Sequence, residues 1–217
     1  MVAVASTSLQ RPLRRDAERN RARIVAAARE AFAAHGVGVG VGEVARLAGV
    51  GVGTLYRRFP TKAALVDAVL EEAFAELLER AQQAAADDDA WHGLETFLEA
   101  ALSLHARNRA LKDLAGASEG TRRRAAAARE RIGPLIATLV RRAQEQGALR
   151  PDVTPEDVPL VFWGASRVVE RAGAVAPELW RRYLRLVLDG LRAEAATPLP
   201  HPPLSRAQLR RALEAAR

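Results

Sequence analysis

The 217-residue sequence contains no cysteine. That excludes disulfides, thiolate metal sites and thiol-based redox sensing, and it favours a reducing compartment. Aromatic residues are scarce, at 5%, and β-branched residues never gather into alternating runs, so no β-sheet is expected. No apolar run approaches the roughly 18 residues that a membrane span needs. The opening MVAVASTSLQRP has no charged segment ahead of a long apolar core, so it does not read as a signal peptide. A cytoplasmic protein without a membrane partner is expected. The histidines, His35, His92, His105 and His201, lie far apart without metal-ligand spacing, and there is no HExxH and no nucleophile elbow. No catalytic residue, metal or cofactor is therefore assigned. An all-α enzyme assembled from distant residues is the alternative from another class.

Acidic residues are also short in one place. Residues 1–62 carry 11 Lys and Arg against 4 Asp and Glu, a net of +7. The remaining 155 residues carry 22 of each, so the entire basic excess of the chain lies in its first 62 residues. A basic module joined to a neutral one points to an anionic partner for the first only.

What is present is helical in character. Leu, Ala, Arg and Glu dominate, and apolar residues make up 49% of the chain, enough for a buried core. A flexible arm is expected over 1–12, then a helix from Asp16 to His35 with Ile24, Ala28, Ala31 and Phe32 on one stripe. Short helices are expected over Val41–Ala48 and Val52–Phe59, and Thr61 reads as the N-cap of a longer one. Further helical patterns run from Trp91 to Arg107 and over Ala110–Ala117. Another contains Ile132, Leu135, Ile136 and Leu139, where Pro134 is expected to kink or split the helix. TPED at 154–157 reads as a helix start, with Thr154 as N-cap, and Pro177 opens the last large helix. A proline-rich tail follows, then an amphipathic piece from Ser205 to Ala216. The Asp87–Asp89 run reads as a solvated loop, because it lacks EF-hand spacing.

Gly36 to Lys62 reads GVGVGVGEVARLAGVGVGTLYRRFPTK and holds seven of the chain's fifteen glycines. These glycines fit no dinucleotide fingerprint and no P-loop, and no strand precedes them. They do fit a helix-turn-helix. Ala45 is the small residue where helices cross, and Gly49 is the turn residue that can adopt a left-handed conformation. Val44, Ala48, Val50, Leu55 and Phe59 are spaced to face inward. Thr54, Tyr56, Arg57 and Arg58 remain on the outer face of the second helix, where such helices meet the major groove.

EVARLAGVGVGTLYRRFPTKAAL resembles the DNA-binding segment of the TetR/AcrR family of bacterial transcription regulators, over roughly Arg19 to Leu70. GALRPDVTPEDV and the last two long helices resemble the family's regulatory domain. The resemblance implies an all-α fold of about nine helices: a helix-turn-helix domain over 13–62, a helical ligand-binding and dimerisation domain over 63–195, and a tail over 196–217. It implies a dimeric regulator, a repressor of a palindromic operator, released by a small hydrophobic effector. An architectural DNA-binding protein without effector is the alternative. Tyr56 and Lys62 match positions that contact DNA phosphates, and Gly51, Val52, Gly53 and Thr54 match those that meet the groove. Arg57 and Arg58 share that outer face, and Arg46 with the arm residues Arg14, Arg15 and Arg19 are added backbone candidates. Gly42 stands where the family carries a capping Thr or Ser, and Gly51 where Ser is common.

The ligand pocket is expected among Phe97, Ala101, His105, Leu114, Ile136, Val140, Trp163 and Arg167. His105 is either a hydrogen-bonding pocket residue or a satisfied core residue. Arg167 either enters the pocket or pairs with Glu170 or Glu95. Phe162, Val169, Trp180, Tyr183, Val187 and Leu188 either form the dimer interface or fill the subunit's own core. The basic run Arg122–Arg124 reads as solvated surface.

Overall fold

The computed structural model of the protein describes residues 7–36, 38–108, 119–195 and 197–215. Among them are nine α-helices: α1 (Thr7–His35), α2 (Val41–Leu47), α3 (Val52–Arg58), α4 (Lys62–Ala86), α5 (Ala90–Arg107), α6 (Glu119–Glu145), α7 (Asp157–Ala172), α8 (Leu179–Leu191) and α9 (Arg206–Ala215). One 3₁₀ turn, Ala193–Ala195, follows α8, and the sole β feature described is an isolated bridge between Leu149 and Arg192. The helix expected over Ala110–Ala117 and the pocket candidate Leu114 lie outside the described residues.

The described residues form two compact units, divided within α4 at Glu72 and Ala73, with the start of α6 up to Thr121 joining the first. The first unit is built on the apolar stripe of α1. Ile24, Val25, Ala28, Ala31 and Phe32 pack with Val44, Ala45 and Ala48 of α2, Leu55 of α3, Phe59, and Leu65, Val66 and Val69 of α4. Each such large side chain contributes about 1.5–3 kcal/mol when fully buried. The first turns of α4 therefore belong to the helix-turn-helix core, and the boundary expected at residue 62 falls a few turns too early. α1 likewise starts at Thr7, inside the segment expected to be a flexible arm.

The second unit is organised around α5. Trp91, Leu94, Phe97, Leu98 and Leu102 pack with Ile132, Ile136, Leu139 and Val140 of α6, Val158, Ala165 and Val169 of α7, and Trp180, Leu184 and Leu188 of α8. α6 runs unbroken through Pro134, so of the expected kink or split the split does not occur. The ring lies on an exposed face, and the carbonyl left without a donor is that of exposed Glu130, which water can satisfy. α7 begins at Asp157, whose carboxylate accepts from the amide of Thr154 at 2.8 Å and its hydroxyl at 3.0 Å.

The α4–α5 loop is held from α6. Arg142 donates to the carbonyls of Ala85 at 2.8 Å and Asp87 at 2.7 Å, and Gln146 to that of Asp88 at 2.7 Å. A cation at the end of α4 also suits that helix's negative pole. Within the loop, Asp89 caps α5 by accepting from the His92 amide at 3.0 Å, and Asp87 accepts from the His92 ring at 2.7 Å. That contact lowers the Asp87 pKa and raises the His92 pKa. Asp88 and Asp89 are exposed, so the run is the expected solvated loop, in which Asp89 also caps α5 and Asp87 also holds the His92 ring. A second paired group, buried Arg150, grips Asp152 at 2.6 Å and donates to the carbonyls of Gly190 and Thr197, fastening the 148–153 loop to the end of α8.

Candidate nucleic-acid interface

Thr61 caps α4 as expected, accepting from the Ala64 amide at 3.0 Å. The turn between α2 and α3 follows from two residues. Gly49 has a φ of +62°, which L side chains rarely adopt. Its amide bonds to the carbonyl of Arg46 at 3.1 Å and that of Val50 to Ala45 at 3.0 Å, so α2 ends in a Schellman motif. Ala45 is fully buried below the turn. α3 then leaves with Leu55 turned into the core, and Tyr56, Arg57 and Arg58 exposed. Gly51, Val52 and Gly53 are also exposed, while Thr54 is half-buried and accepts from Arg57 at 3.3 Å.

Several of the expected contacts already have partners. Arg46 makes a bidentate pair with Glu43, at 2.6 and 2.9 Å. This hydrogen-bonded pairing lowers the Glu43 pKa and raises that of Arg46. Lys62 is half-buried and donates from Nζ to the carbonyl of Val39 at 2.8 Å, tying α4 to the loop before α2. Arg19 is exposed and paired with Asp16 at 2.8 Å. The Arg14 and Arg15 side chains lie outside the described residues.

The cap of α2 falls at Gly40, not Gly42, which lies within the helix; Gly51 is the N-cap of α3, and neither cap has a side-chain hydrogen bond. The carbonyl of Gly40 receives the amides of Glu43 and Val44 instead.

The first-unit helices together reproduce the pattern "Bacterial regulatory proteins, tetR family", matched by residues 24–69. Residues 89–193 match "Transcriptional regulator SbtR-like, C-terminal domain". A TetR transcription regulatory protein from Mycobacterium vanbaalenii is 34% identical, with a TM-score of 0.65 over 83% of this chain and 99% of that one. The chain belongs to the TetR family. It is therefore a DNA-binding transcriptional regulator. A TetR transcriptional regulator from Streptomyces coelicolor is 28% identical over 79% of this chain and 98% of that one, with a TM-score of 0.57. The TetR-family regulator PfmR from Thermus thermophilus shares the fold at 23% identity and a TM-score of 0.56, over 78% of this chain and 98% of that one. No curated protein matches the sequence.

Within this TetR-family frame, sequence reasoning missed Arg23. Its Nη2 reaches from α1 to the carbonyls of Ala48 at 2.6 Å and Gly49 at 3.0 Å. A Cβ at Gly49 would stand 2.8 Å from that same nitrogen. The guanidinium thus clamps the turn that aims α3. No local pattern signals this, since Arg23 looks like any exposed basic residue until α1 lies across the turn.

Of the expected pocket residues, Phe97, Ile136 and Val140 pack together in the core of the second unit. Phe97, Ala101, Ile136 and Val140 are buried, Trp163 is half-buried, and Arg167 is exposed and paired with Glu170 at 2.5 Å. His105 packs edge-on against Phe162, with its Nε2 3.7 Å from Glu170. A groove of about 320 Å³ lies between α4 and α5, lined by Glu76, Arg80, Gln83, Phe97, Ser103 and Arg107 among others. Among the described residues of the expected set, Phe97 alone lines it.

The dimer candidates separate by burial. Val169, Trp180 and Leu188 fill the subunit's own core. Phe162 and Val187 are half-buried, and Tyr183 is 42% exposed. Among the described residues, no helix is long and apolar enough to cross a membrane, and no cluster of His, Asp and Glu is placed to hold a metal.

Proposed function

We propose that this TetR-family regulator is a repressor that binds a palindromic operator as a homodimer and leaves it when a small hydrophobic effector binds. The observation that carries this reading is the open outer face of α3, where Val52, Tyr56, Arg57 and Arg58 stand exposed on a helix aimed by the Gly49 turn. Gly51 to Thr54 enter the major groove, and Tyr56, Arg57, Arg58 and Lys62 meet phosphates. Arg46 joins them by exchanging Glu43 for a phosphate. The basic excess of residues 1–62 supplies the electrostatic footprint.

A two-fold operator needs two reading heads at fixed spacing. The interface is formed by α8, whose Leu179, Tyr183 and Leu186 make an exposed stripe at i, i+4, i+7. The half-buried Phe162 and Val187 complete it. The effector enters the second unit near Trp163 and His105 and favours a conformation whose reading heads lose register, through differential affinity for the two states.

Fluorescence anisotropy on duplex from beside the protein's own gene, against scrambled duplex, tests this. The expected result is a preference of at least roughly 10³-fold, with log K falling by about 0.9 per phosphate contact per decade of salt. A steep salt slope without preference indicates an architectural binder. No binding at low salt refutes the reading of residues 1–62.

A further inference from the structure

The first turn of α3 carries little with which to hydrogen-bond a base. Gly51 and Gly53 have no side chain, and nothing lies within 4 Å of the position a Cβ at Gly53 would take. The half-buried Thr54 hydroxyl, which accepts from Arg57 at 3.3 Å, is the one side-chain hydrogen-bonding group of that turn. Arg57 and Arg58 stand in the last turn. What the first turn does present is the isopropyl group of Val52, 45% exposed and part of neither core cluster. β-branching holds that group in one dominant rotamer on a helix, so its methyls point in a fixed direction. The glycines on either side let the backbone come close. The apolar group that the major groove offers is the C5-methyl of thymine.

We infer that Val52 reads thymine through its C5-methyl, so that part of the operator is recognised by apolar contact rather than by hydrogen bonds. This rests on the DNA-reading assignment above and names the group that is read.

The test uses the full-length protein. A binding site is selected from random duplexes and remade with deoxyuridine in place of each thymine in turn, which removes only the methyl. Wild type and Val52→Ala are then compared by anisotropy. Deoxyuridine at one symmetry-related thymine pair weakens wild-type binding by about fourfold per half-site, as burial of one methyl-sized group requires. Val52→Ala binds the thymine site more weakly by a similar factor and is indifferent to deoxyuridine there. The wild-type arm needs no variant, and the melting temperature of Val52→Ala reports its folding. A selected site with no methyl-sensitive thymine overturns the inference, as does a Val52→Ala protein that keeps the full deoxyuridine penalty. Failure to enrich any sequence overturns the DNA-reading assignment as well, which separates the two failures.

Discussion

Gly93 brings α5 close against the end of α4, and Gly93→Ala measures how little that approach can give. An added Cβ would stand 2.5 Å from the carbonyl oxygen of Ala84 and 3.0 Å from Leu139 Cδ2. An ordinary carbon–oxygen approach is about 3.3–3.6 Å, so α4 and α5 must part by about 0.8 Å. The obstacle is backbone, and Leu139 is fully buried. The end of α4 is further pinned by Arg142 and Gln146. Overpacking of this kind costs about 1–3 kcal/mol, against which alanine regains up to about 1 kcal/mol of helix propensity. A clash with fixed backbone belongs in the upper part of that range, so the net loss is about 1–2 kcal/mol. At about 2–4 °C per kcal/mol for a chain of this size, the melting temperature falls by about 2–8 °C. Circular-dichroism melts at matched protein concentration read this directly. Gly164→Ala is the control, since Gly164 is exposed on α7 with no atom within 4 Å of its Cβ position. Its melting temperature is expected to hold or rise. A Gly93→Ala protein that melts at or above wild type would refute the reasoning.

Arg23→Ala removes the clamp on the α2–α3 turn, so the Gly49 and Val50 amides exchange faster with deuterium and selected-site affinity drops; unchanged exchange there counts against the clamp. Lys62→Met weakens binding to all duplexes alike and lowers the salt slope of a dimer by about 2, or about 0.9 for each phosphate contact; a change in sequence preference instead would reassign Lys62. Leu186→Glu places a charge on the exposed stripe of α8, and sedimentation is expected to find a folded monomer. A dimer that persists moves the interface elsewhere. His92 titrates above the ordinary imidazole value in an NMR pH series, and Asp87→Asn removes the largest part of the rise. The raised His92 pKa adds stability that is full below the ordinary imidazole value and lost as pH rises through the folded value. The lowered Asp87 pKa adds stability present above the ordinary carboxylate value and lost as pH falls through the folded one. The pair is therefore complete between those limits, and Asp87→Asn flattens the pH dependence at both edges.

The helix-turn-helix was legible because its constraints are local. Gly49 needs a positive φ, Ala45 must be small, and Val44, Leu55 and Phe59 must face inward, all within one short stretch. Apolar periodicity likewise located α4 to α8, and the +7 excess over residues 1–62 pointed to the anionic partner. Element ends were less legible. α1 begins before Asp16, α6 passes through Pro134, and the α2 cap sits at Gly40, because capping and proline tolerance depend on which backbone groups reach water.

Sequence by itself determined the helical class, the reading head and its charge, since periodicity, turn chemistry and charge density are properties of neighbouring residues. Only the tertiary structure decided which apolar residues stay inside. Trp180, Leu184 and Leu188 share α8 with Leu179, Tyr183 and Leu186, yet the first three are buried and the last three are not. A stripe on a helix records that a face is apolar, but what covers that face depends on helices far along the chain. Arg23 on the α2–α3 turn, Arg142 on the end of α4 and Arg150 on the carbonyl of Gly190 follow the same rule. A long charged side chain acquires such a partner only when packing brings a distant carbonyl within reach.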